Sequence, residues 1–302
     1  MIIRNLADAE LRQRLRYDGL RFHTGPFTTC LQSTIPSVVE GITHLYADFP
    51  LASRDGFADF HVQLTLPKTL RRWLQPQVLF VHDGFPPFKP LPLDQAFPML
   101  EWGLNWCVTT HAQQYLIVHA AVVERNGFAA ILPAPPGSGK STLCAALVNR
   151  GWRLLSDELT LIRSDGKIVP LARPVSLKNA SIDIIRNFEP TAFINRASHD
   201  TAKGTVAHMQ PPSDAVARVA QTAIPAWIIF PKFSAGAATQ LNPRPKAQTF
   251  MELANNAFNY TLHGASGFAL LNQVVSGCGC FDFNYSRLDE AIKIFADLRP
   301  QT

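Results

Sequence analysis

A short loop rich in glycine and proline constrains the fold of this chain more than any other sequence feature. Its residues are Ala134, Pro135, Pro136, Gly137, Ser138, Gly139, Lys140, Ser141 and Thr142. Apolar residues 128–132 precede this loop as a predicted strand, and a helix-forming run, residues 143–148, follows it. Small residues let backbone N–H groups close around phosphate oxygens, and a helix N-terminus favours negative charge. The pattern therefore predicts a strand, a phosphate-binding loop and a helix, in that order.

The side chains of this loop predict ATP with Mg²⁺ as the ligand. In such loops the lysine reaches the β- and γ-phosphates and the serine hydroxyl binds the metal, roles that fall here to Lys140 and Ser141. Ala134 stands where the motif usually has glycine, and it meets the need for a small residue. The alternative is a glycine-rich turn that binds nothing, and the pattern does not separate ATP from GTP.

The next acidic residue along the chain indicates phosphoryl transfer. Asp157 lies 17 residues after Lys140 and follows a short predicted strand, residues 152–156. A carboxylate beside a phosphate loop can accept the proton of an acceptor hydroxyl or hold Mg²⁺. We therefore predict that Asp157 accepts the proton of the incoming hydroxyl. A capping or ion-pair role at the end of the strand is the alternative.

Three segments, in this order and spacing, resemble HPr kinase/phosphorylase. They are residues 118–120 with His119 at the centre, the loop 134–142, and residues 150–158. The whole chain looks most like the HPr kinase-related kinase A group, with less specific matches at 173–179, 203–205 and 288–291. The resemblance implies an α/β P-loop kinase core of the HPr kinase/phosphoenolpyruvate carboxykinase-like type. It also implies an ATP-dependent kinase that phosphorylates a Ser (or Thr) hydroxyl of a peptide or small protein.

The resemblance also assigns roles by position. Asp157 corresponds to the first aspartate of the family, the proposed general base, and His119 to a histidine that approaches the same site. Glu158 stands where the family has a second aspartate, so it joins Ser141 and Asp157 as a candidate metal ligand. Genes of the related group accompany a PqqD-like peptide chaperone, which implies a peptide substrate, and HPr kinase-like proteins tend to form homo-oligomers.

Three further cations are candidates for phosphate contacts. Arg173 and Lys178 could stabilise charge on the transferring group, with a solvated surface position as the alternative. Lys203 lies in the polar segment 196–213, which contains Gly204 and two prolines and is predicted to be a mobile loop. Lys203 could close over the nucleotide, and disorder of that loop is the alternative.

The chain has 302 residues, 47% of them hydrophobic, which favours roughly two globular units. Four prolines in residues 85–92 predict a linker. We therefore expect a smaller strand-rich α+β domain at residues 1–95, which could dock a substrate or partner, and a catalytic domain at 96–302. Strands and helices alternate in the second part, which favours an α/β fold. Residues 280–285 are predicted to form an edge strand.

Composition excludes several other classes of protein. The net charge is +5, but apart from a small basic group at Lys68, Arg71 and Arg72 the cations are dispersed, so we expect no nucleic-acid ligand. The sequence contains no apolar run of about 18 residues, which predicts no membrane span. Its first residues lack the pattern of a signal peptide, so we expect a cytoplasmic protein.

Two other functions fit the same motifs. The first is a P-loop small-molecule kinase, because shikimate- and nucleoside-type kinases also carry an aspartate soon after the phosphate-loop helix. The second is a non-catalytic module that binds a partner when ATP is bound and transfers nothing. Phosphorylation of a metabolite would identify the former, and ATP-dependent partner binding without a phosphoprotein would identify the latter.

Overall fold

A computed structural model of the protein describes residues 1–67 and 74–300. The basic group at Lys68, Arg71 and Arg72 lies outside the described residues. The described part is a mixed α/β structure with three sheets of five, eight and three strands.

The first sheet is built from the N-terminal part of the chain. Its strands are β1 (Leu20–Thr24), β2 (Phe27–Ser33), β3 (Phe60–Thr65), β4 (Gln77–His82) and β5 (Leu91–Pro92). They lie in the order β1-β2-β3-β4-β5, with β2 and β3 parallel and the other pairs antiparallel. Residues 57–64 alternate roughly with a period of two, which predicts a half-buried strand, and the alternately buried and exposed side chains of β3 confirm it.

Helices cover this sheet and connect it to the rest of the chain. The α-helices are α1 (Asp8–Gln13), α2 (Pro36–Leu45) and α3 (Ala96–His111), and short 3-10 helices lie at Ile3–Asn5 and Leu93–Gln95. Apolar residues of α3, including Leu100 and Leu104, pack into the core of the first sheet together with Leu161 and Leu171. This core therefore runs across residue 96, where the sequence places a domain boundary, and that division stays a prediction.

The remaining elements begin at residue 116. The strands are β6 (Leu116–Arg125), β7 (Phe128–Pro133), β8 (Arg153–Ser156), β9 (Leu159–Ile162), β10 (Ile168–Val169), β11 (Val175–Lys178), β12 (Ser198–Thr201), β13 (Gly204–Met209), β14 (Ile224–Phe233), β15 (Gln240–Pro243) and β16 (Gly279–Tyr285). The helices are α4 (Lys140–Val148), α5 (Ala180–Phe188), α6 (Ser213–Ala217), α7 (Lys246–Asn256), α8 (Tyr260–Gly277) and α9 (Leu288–Ala296).

The central sheet has the order β10-β9-β6-β7-β14-β16-β15, and β8 also pairs with β6. Strand β14 is parallel to both β7 and β16, whereas β6 and β7 form an antiparallel hairpin. Asn126 and Gly127 have φ angles of 55° and 86° in the turn of that hairpin, the left-handed conformation that an Asn-Gly turn provides. Asn126-Gly127 between two apolar runs predicts such a hairpin, and the structure confirms it.

Helices pack on both faces of the central sheet. Successive side chains of a strand point to opposite faces. Accordingly, Ala121 and Val123 of β6 pack with the core that contains α4 and α9, and Ala120 and Val122 pack with α7 and α8. This arrangement confirms the α/β class. In the described part of the chain, no helix is long and apolar enough to cross a membrane.

Two predictions about secondary structure are wrong. Residues 280–285 do not form an edge strand, because β16 lies between β14 and β15. The alternation that suggested an edge includes Asp282, which pairs instead with Arg244 at 2.5 Å. Residues 196–213 are not an irregular loop, because β12 and β13 form a hairpin beside β11. Within this hairpin the Thr201 hydroxyl donates to the Gly204 carbonyl at 2.7 Å.

Candidate functional site

The glycine-rich loop (residues 134–139) lies at the edge of the sheet where the parallel strands β7, β14 and β16 end. Open α/β sheets bind ligands at this carboxyl edge. The Phe233 N–H at the end of β14 donates to the Ser138 carbonyl at 2.8 Å. The Tyr285 hydroxyl at the end of β16 donates to the Gly139 carbonyl at 3.0 Å. Two neighbouring strands therefore anchor the loop that follows β7.

Two glycines give the loop its shape. Gly137 and Gly139 have φ angles of 84° and 87°, a conformation that other residues rarely adopt. A Cβ at Gly137 would meet no atom within 4 Å, so the backbone there faces open space. The Ser138 hydroxyl is buried and has no hydrogen-bond partner among residues 1–67 and 74–300. An open backbone beside an unpartnered hydroxyl suits a ligand that carries acceptor oxygens, such as a phosphate.

Lys140 is the first residue of α4 and lies between the loop and the end of β8. Its side chain is almost fully buried, with 8% of the residue exposed. The ammonium group donates to the backbone carbonyl of Asp157 at 2.6 Å. An ammonium group has three N–H donors, so this contact holds the nitrogen in place and leaves donors for an anionic ligand.

Strand register brings His119 and the acidic pair to the edge that carries the loop. Ala120 of β6 pairs with Pro133, the last residue before the loop. His119, one residue earlier, pairs with Leu159 of β9. Strand β8 ends at Ser156 beside β6, so Asp157 and Glu158 emerge at the same edge. The structure thus brings together the loop, His119 and the two carboxylates that the sequence identified.

A cleft of about 1000 Å³ opens in front of the loop. Besides residues 134–142 it is lined by His119, Glu158, Ser176, Lys178, Asn179, Ala180, Ser181, Ile184, Phe188, Ala202, Lys203, Phe233, Tyr285, Ser286, Arg287, Leu288 and Asp289. This volume is at the upper end of the usual range for small-molecule sites. The cleft can therefore hold a nucleotide together with part of a second molecule.

Asp157 faces a smaller cavity beside this cleft. The cavity has a volume of about 20 Å³, and Glu158 and Ser176 line both it and the cleft. Asp157 is only 5% exposed, and its Oδ2 accepts the Ser176 N–H at 3.1 Å. Its Oδ1 has no hydrogen-bond partner within the described ranges. Burial raises the pKa of Asp157, although the nearby Lys140 opposes this rise, so the carboxylate has an increased affinity for a proton.

Glu158 is the carboxylate that faces the cleft. Its Oε2 accepts the Asn105 amide N–H at 2.6 Å, and its Oε1 lies 3.5 Å from the Lys178 ammonium. Burial alone would raise the pKa of Glu158, but Lys178, Lys203 and Lys140 together lower it to about 2. Glu158 is therefore ionised at neutral pH.

His119 is neutral at the same pH. Burial lowers the pKa of His119 to about 4, and Lys140 adds to this effect, whereas the negative charge of Glu158 opposes it. A neutral imidazole has one N–H donor and one acceptor nitrogen. His119 can therefore donate a hydrogen bond or accept one at the cleft without carrying charge.

The three candidate cations occupy different places. Lys178 and Lys203 line the cleft, and the Lys203 ammonium lies 5.3 Å from the centre of the Trp102 ring. Arg173 is 8% exposed and lies behind the cleft, where it donates to Asn105 and forms an ion pair with Glu101 at 3.5 Å. Lys178 and Lys203 can therefore reach a ligand in the cleft, whereas Arg173 contacts other protein side chains.

The side chains at the cleft fit a Mg²⁺ site that needs ligand oxygens to complete it. Within the described ranges there is no group of three or more His, Cys, Asp or Glu side chains that could hold a metal. Mg²⁺ in nucleotide sites is usually held by one or two carboxylates together with phosphate oxygens. At the cleft, Ser141 supplies a hydroxyl oxygen and Glu158 a carboxylate, and the carboxylate of Asp157 lies at the neighbouring small cavity.

The sequence motifs did not identify several residues at the site. Phe233 and Tyr285 anchor the loop, and Asn179 lines the cleft with a φ angle of 52°, unusual for a residue other than glycine. The rule that ligands bind at the carboxyl ends of parallel strands could have found Phe233 and Tyr285. Asn105, the partner of Glu158, lies in the middle of α3 and carries no sequence signal.

The model of a family described as SynChlorMet cassette protein ScmC matches residues 96–176, the segment from the start of α3 into β11. Among solved structures, the chain is similar to the Hpr(Ser) kinase/phosphatase from Coxiella burnetii, with 10% sequence identity and a TM-score of 0.25. That match covers 60% of this chain and 91% of the other. No curated protein matches.

Proposed function

We propose that this chain is an ATP- and Mg²⁺-dependent kinase that transfers the γ-phosphoryl group to a Ser (or Thr) hydroxyl of a peptide or small protein. One observation carries the proposal: the glycine-rich loop and Lys140 share one sheet edge with His119 and the acidic pair, and one cleft with His119 and Glu158. The sequence alone supports four further parts of this proposal: the peptide nature of the acceptor, a PqqD-like partner, homo-oligomers and a cytoplasmic location.

The loop and the start of α4 supply the groups that would bind the triphosphate. The backbone turns at Gly137 and Gly139, the Ser138 hydroxyl is free to donate, and the helix N-terminus favours an anion. Lys140 adds a positive charge, and its ammonium group is held in place by a hydrogen bond to the backbone carbonyl of Asp157. Mg²⁺ would be held by Ser141 with Asp157 or Glu158, and it would neutralise charge on the phosphates.

Asp157 is the group that would accept the proton of the acceptor hydroxyl. Burial raises the pKa of Asp157, which improves it as a base near neutral pH. The Ser176 N–H fixes one carboxylate oxygen at 3.1 Å, so the other is free to accept a proton. His119, neutral and close to Glu158, would orient the acceptor at the mouth of the cleft. Most of the rate would come from positioning and charge neutralisation.

The experiment is intact-mass analysis of candidate acceptors after incubation with the protein, ATP and Mg²⁺. The candidates are the peptides and small proteins encoded beside the gene, with small metabolites tested in parallel. We expect a gain of one phosphate with the wild type and with Asp165→Asn, a matched change at an exposed position, and no gain with Asp157→Asn. ATP affinity should be nearly unchanged in Asp157→Asn. Normal turnover combined with lost ATP affinity in that variant would contradict the role of Asp157.

A nucleotide-gated binding module is the second candidate. The observation that favours it is the burial of Asp157, which is 5% exposed and faces the small cavity beside the cleft. Such a module would bind a partner only with ATP present and would leave every candidate acceptor unphosphorylated. Phosphorylation of a metabolite alone would instead favour a small-molecule kinase.

A further inference from the structure

A chain of polar contacts runs from helix α2 to the cleft. The Tyr46 hydroxyl, just after α2, donates to Glu101 Oε1 of α3 at 2.5 Å. Glu101 Oε2 lies 3.5 Å from the Arg173 guanidinium. Arg173 donates to the Asn105 amide oxygen, and the Asn105 amide nitrogen donates to Glu158 Oε2 at 2.6 Å. Glu158, the last member, lines the cleft.

The order of donors and acceptors fixes the orientation of the Asn105 amide. Arginine has no acceptor, so the amide oxygen of Asn105 must face Arg173. The amide nitrogen then faces Glu158 and can donate to its carboxylate. A hydrogen bond to an ionised group is worth more than one between neutral groups, so this contact restrains Glu158 strongly.

Burial makes this chain of contacts rigid. Tyr46 is fully buried, and Glu101 and Arg173 are 5% and 8% exposed. A buried charge is stable only when it is paired and hydrogen-bonded, so moving either ionic partner would leave the other unpaired. By contrast, the second contact of Glu158, with Lys178, is 3.5 Å long and lies at the cleft. Asn105 is therefore the firmer support of the Glu158 carboxylate.

We propose that Asn105, held in place by Arg173, Glu101 and Tyr46, is a positioning residue that sets the place of Glu158 in the cleft. Because Tyr46 belongs to this chain of contacts, the part of the protein before residue 96 also helps to position Glu158. The expected effect on kcat rests on the proposed function, because it requires that Glu158 serve the reaction. The position of the Glu158 carboxylate depends on the folded protein alone.

Three substitutions test this proposal. Asn105→Leu removes both amide contacts at similar size, and Tyr46→Phe removes only the hydroxyl at the far end of the chain of contacts. Thr109→Val is the matched control, because Thr109 lies one turn further along α3, is similarly half-buried, and its hydroxyl donates to the Trp106 carbonyl of the same helix. Loss of an outer supporting contact typically lowers activity about 10–100-fold. We expect a fall in kcat of that size for Asn105→Leu, a smaller fall for Tyr46→Phe, none for Thr109→Val, and little change in the Kd for ATP.

Crystal structures of the wild type and Asn105→Leu provide a readout that needs no activity. We expect the Glu158 carboxylate to leave its wild-type position in the variant. A Glu158 carboxylate that stays in its wild-type position would overturn the proposal. If the wild type is active, an unchanged kcat in Asn105→Leu would overturn it as well. A wild type that transfers no phosphate would refute the proposed kinase function, and the position of Glu158 would still decide this inference. If Asn105→Leu does not fold, the structure and kcat of Tyr46→Phe decide it in the same way.

Discussion

The contact between Tyr285 and Gly139 allows a quantitative test of how the glycine-rich loop is held. Tyr285 is 1% exposed, and its hydroxyl donates to the Gly139 carbonyl at 3.0 Å. A Cβ at Gly139 would lie 2.4 Å from that hydroxyl oxygen and 3.0 Å from the Phe233 Cβ. Gly139→Ala therefore forces either the tyrosine or the loop to move, in a backbone conformation with φ at +87°.

Two terms contribute to the destabilisation by Gly139→Ala. An L-residue in the left-handed conformation costs about 1–2 kcal/mol. Displacing the buried tyrosine hydroxyl from its acceptor costs about 1–3 kcal/mol more. Tyr285→Phe removes the hydroxyl itself and should cost about 1 kcal/mol. Once the hydroxyl is absent, Gly139→Ala should no longer carry the cost of displacing it, so the two changes should couple by about 1–3 kcal/mol.

Equilibrium urea unfolding of the wild type, both single variants and the double variant measures this coupling. We expect the double variant to be more stable than the sum of the single changes predicts. Costs that add within about 0.5 kcal/mol would show that the hydroxyl does not constrain Gly139, and would refute the reasoning.

Two further predictions concern buried charge. Arg153→Met should destabilise the fold by about 3–5 kcal/mol, because the buried Glu124 would be left with the more distant Arg218 guanidinium at 3.6 Å, and the carbonyls of Arg218 and Gln221 would lose a donor. A second change, Glu124→Leu, should restore much of the loss in urea unfolding. Burial lowers the pKa of His208 from 6.5 to about 3, so the fold favours the neutral imidazole. The contribution of neutral His208 to the free energy of unfolding is complete above pH 6.5. It is lost as the pH falls from 6.5 towards 3, at about 1.4 kcal/mol per pH unit. His208→Leu should reduce the slope of unfolding free energy against pH by that amount over this range, and an unchanged slope would contradict the prediction.

Local sequence patterns predicted the parts of the site that depend on neighbouring residues. The β6–β7 hairpin follows from Asn126-Gly127 and its apolar flanks, and the strand, loop and helix around Gly137 and Gly139 follow from residues that are adjacent in the chain. By contrast, the contact between Tyr285 and Gly139 joins residues 146 positions apart, which no local pattern records.

The sequence also could not decide which member of the acidic pair faces the cleft. Asp157 and Glu158 lie in the bend between β8 and β9, where the alternation of a strand does not determine the direction of a side chain. Glu158 lines the cleft, and Asp157 is turned towards Ser176 and the small cavity. The polar composition of the β12–β13 hairpin likewise indicated a loop, because the pairing of β13 with β11 joins residues that are distant in the chain.

We propose that the glycine-rich loop and Lys140 bind the phosphates of ATP, and isothermal titration calorimetry with ATP and Mg²⁺ measures this binding. A charge-assisted hydrogen bond is worth about 1.5–3 kcal/mol, so Lys140→Met should weaken binding roughly 10–100-fold. The matched control is Lys167→Met, at an exposed residue in the turn between β9 and β10, and it should bind as the wild type does. No binding by the wild type, or equal Kd values for the wild type and Lys140→Met, would contradict the claim.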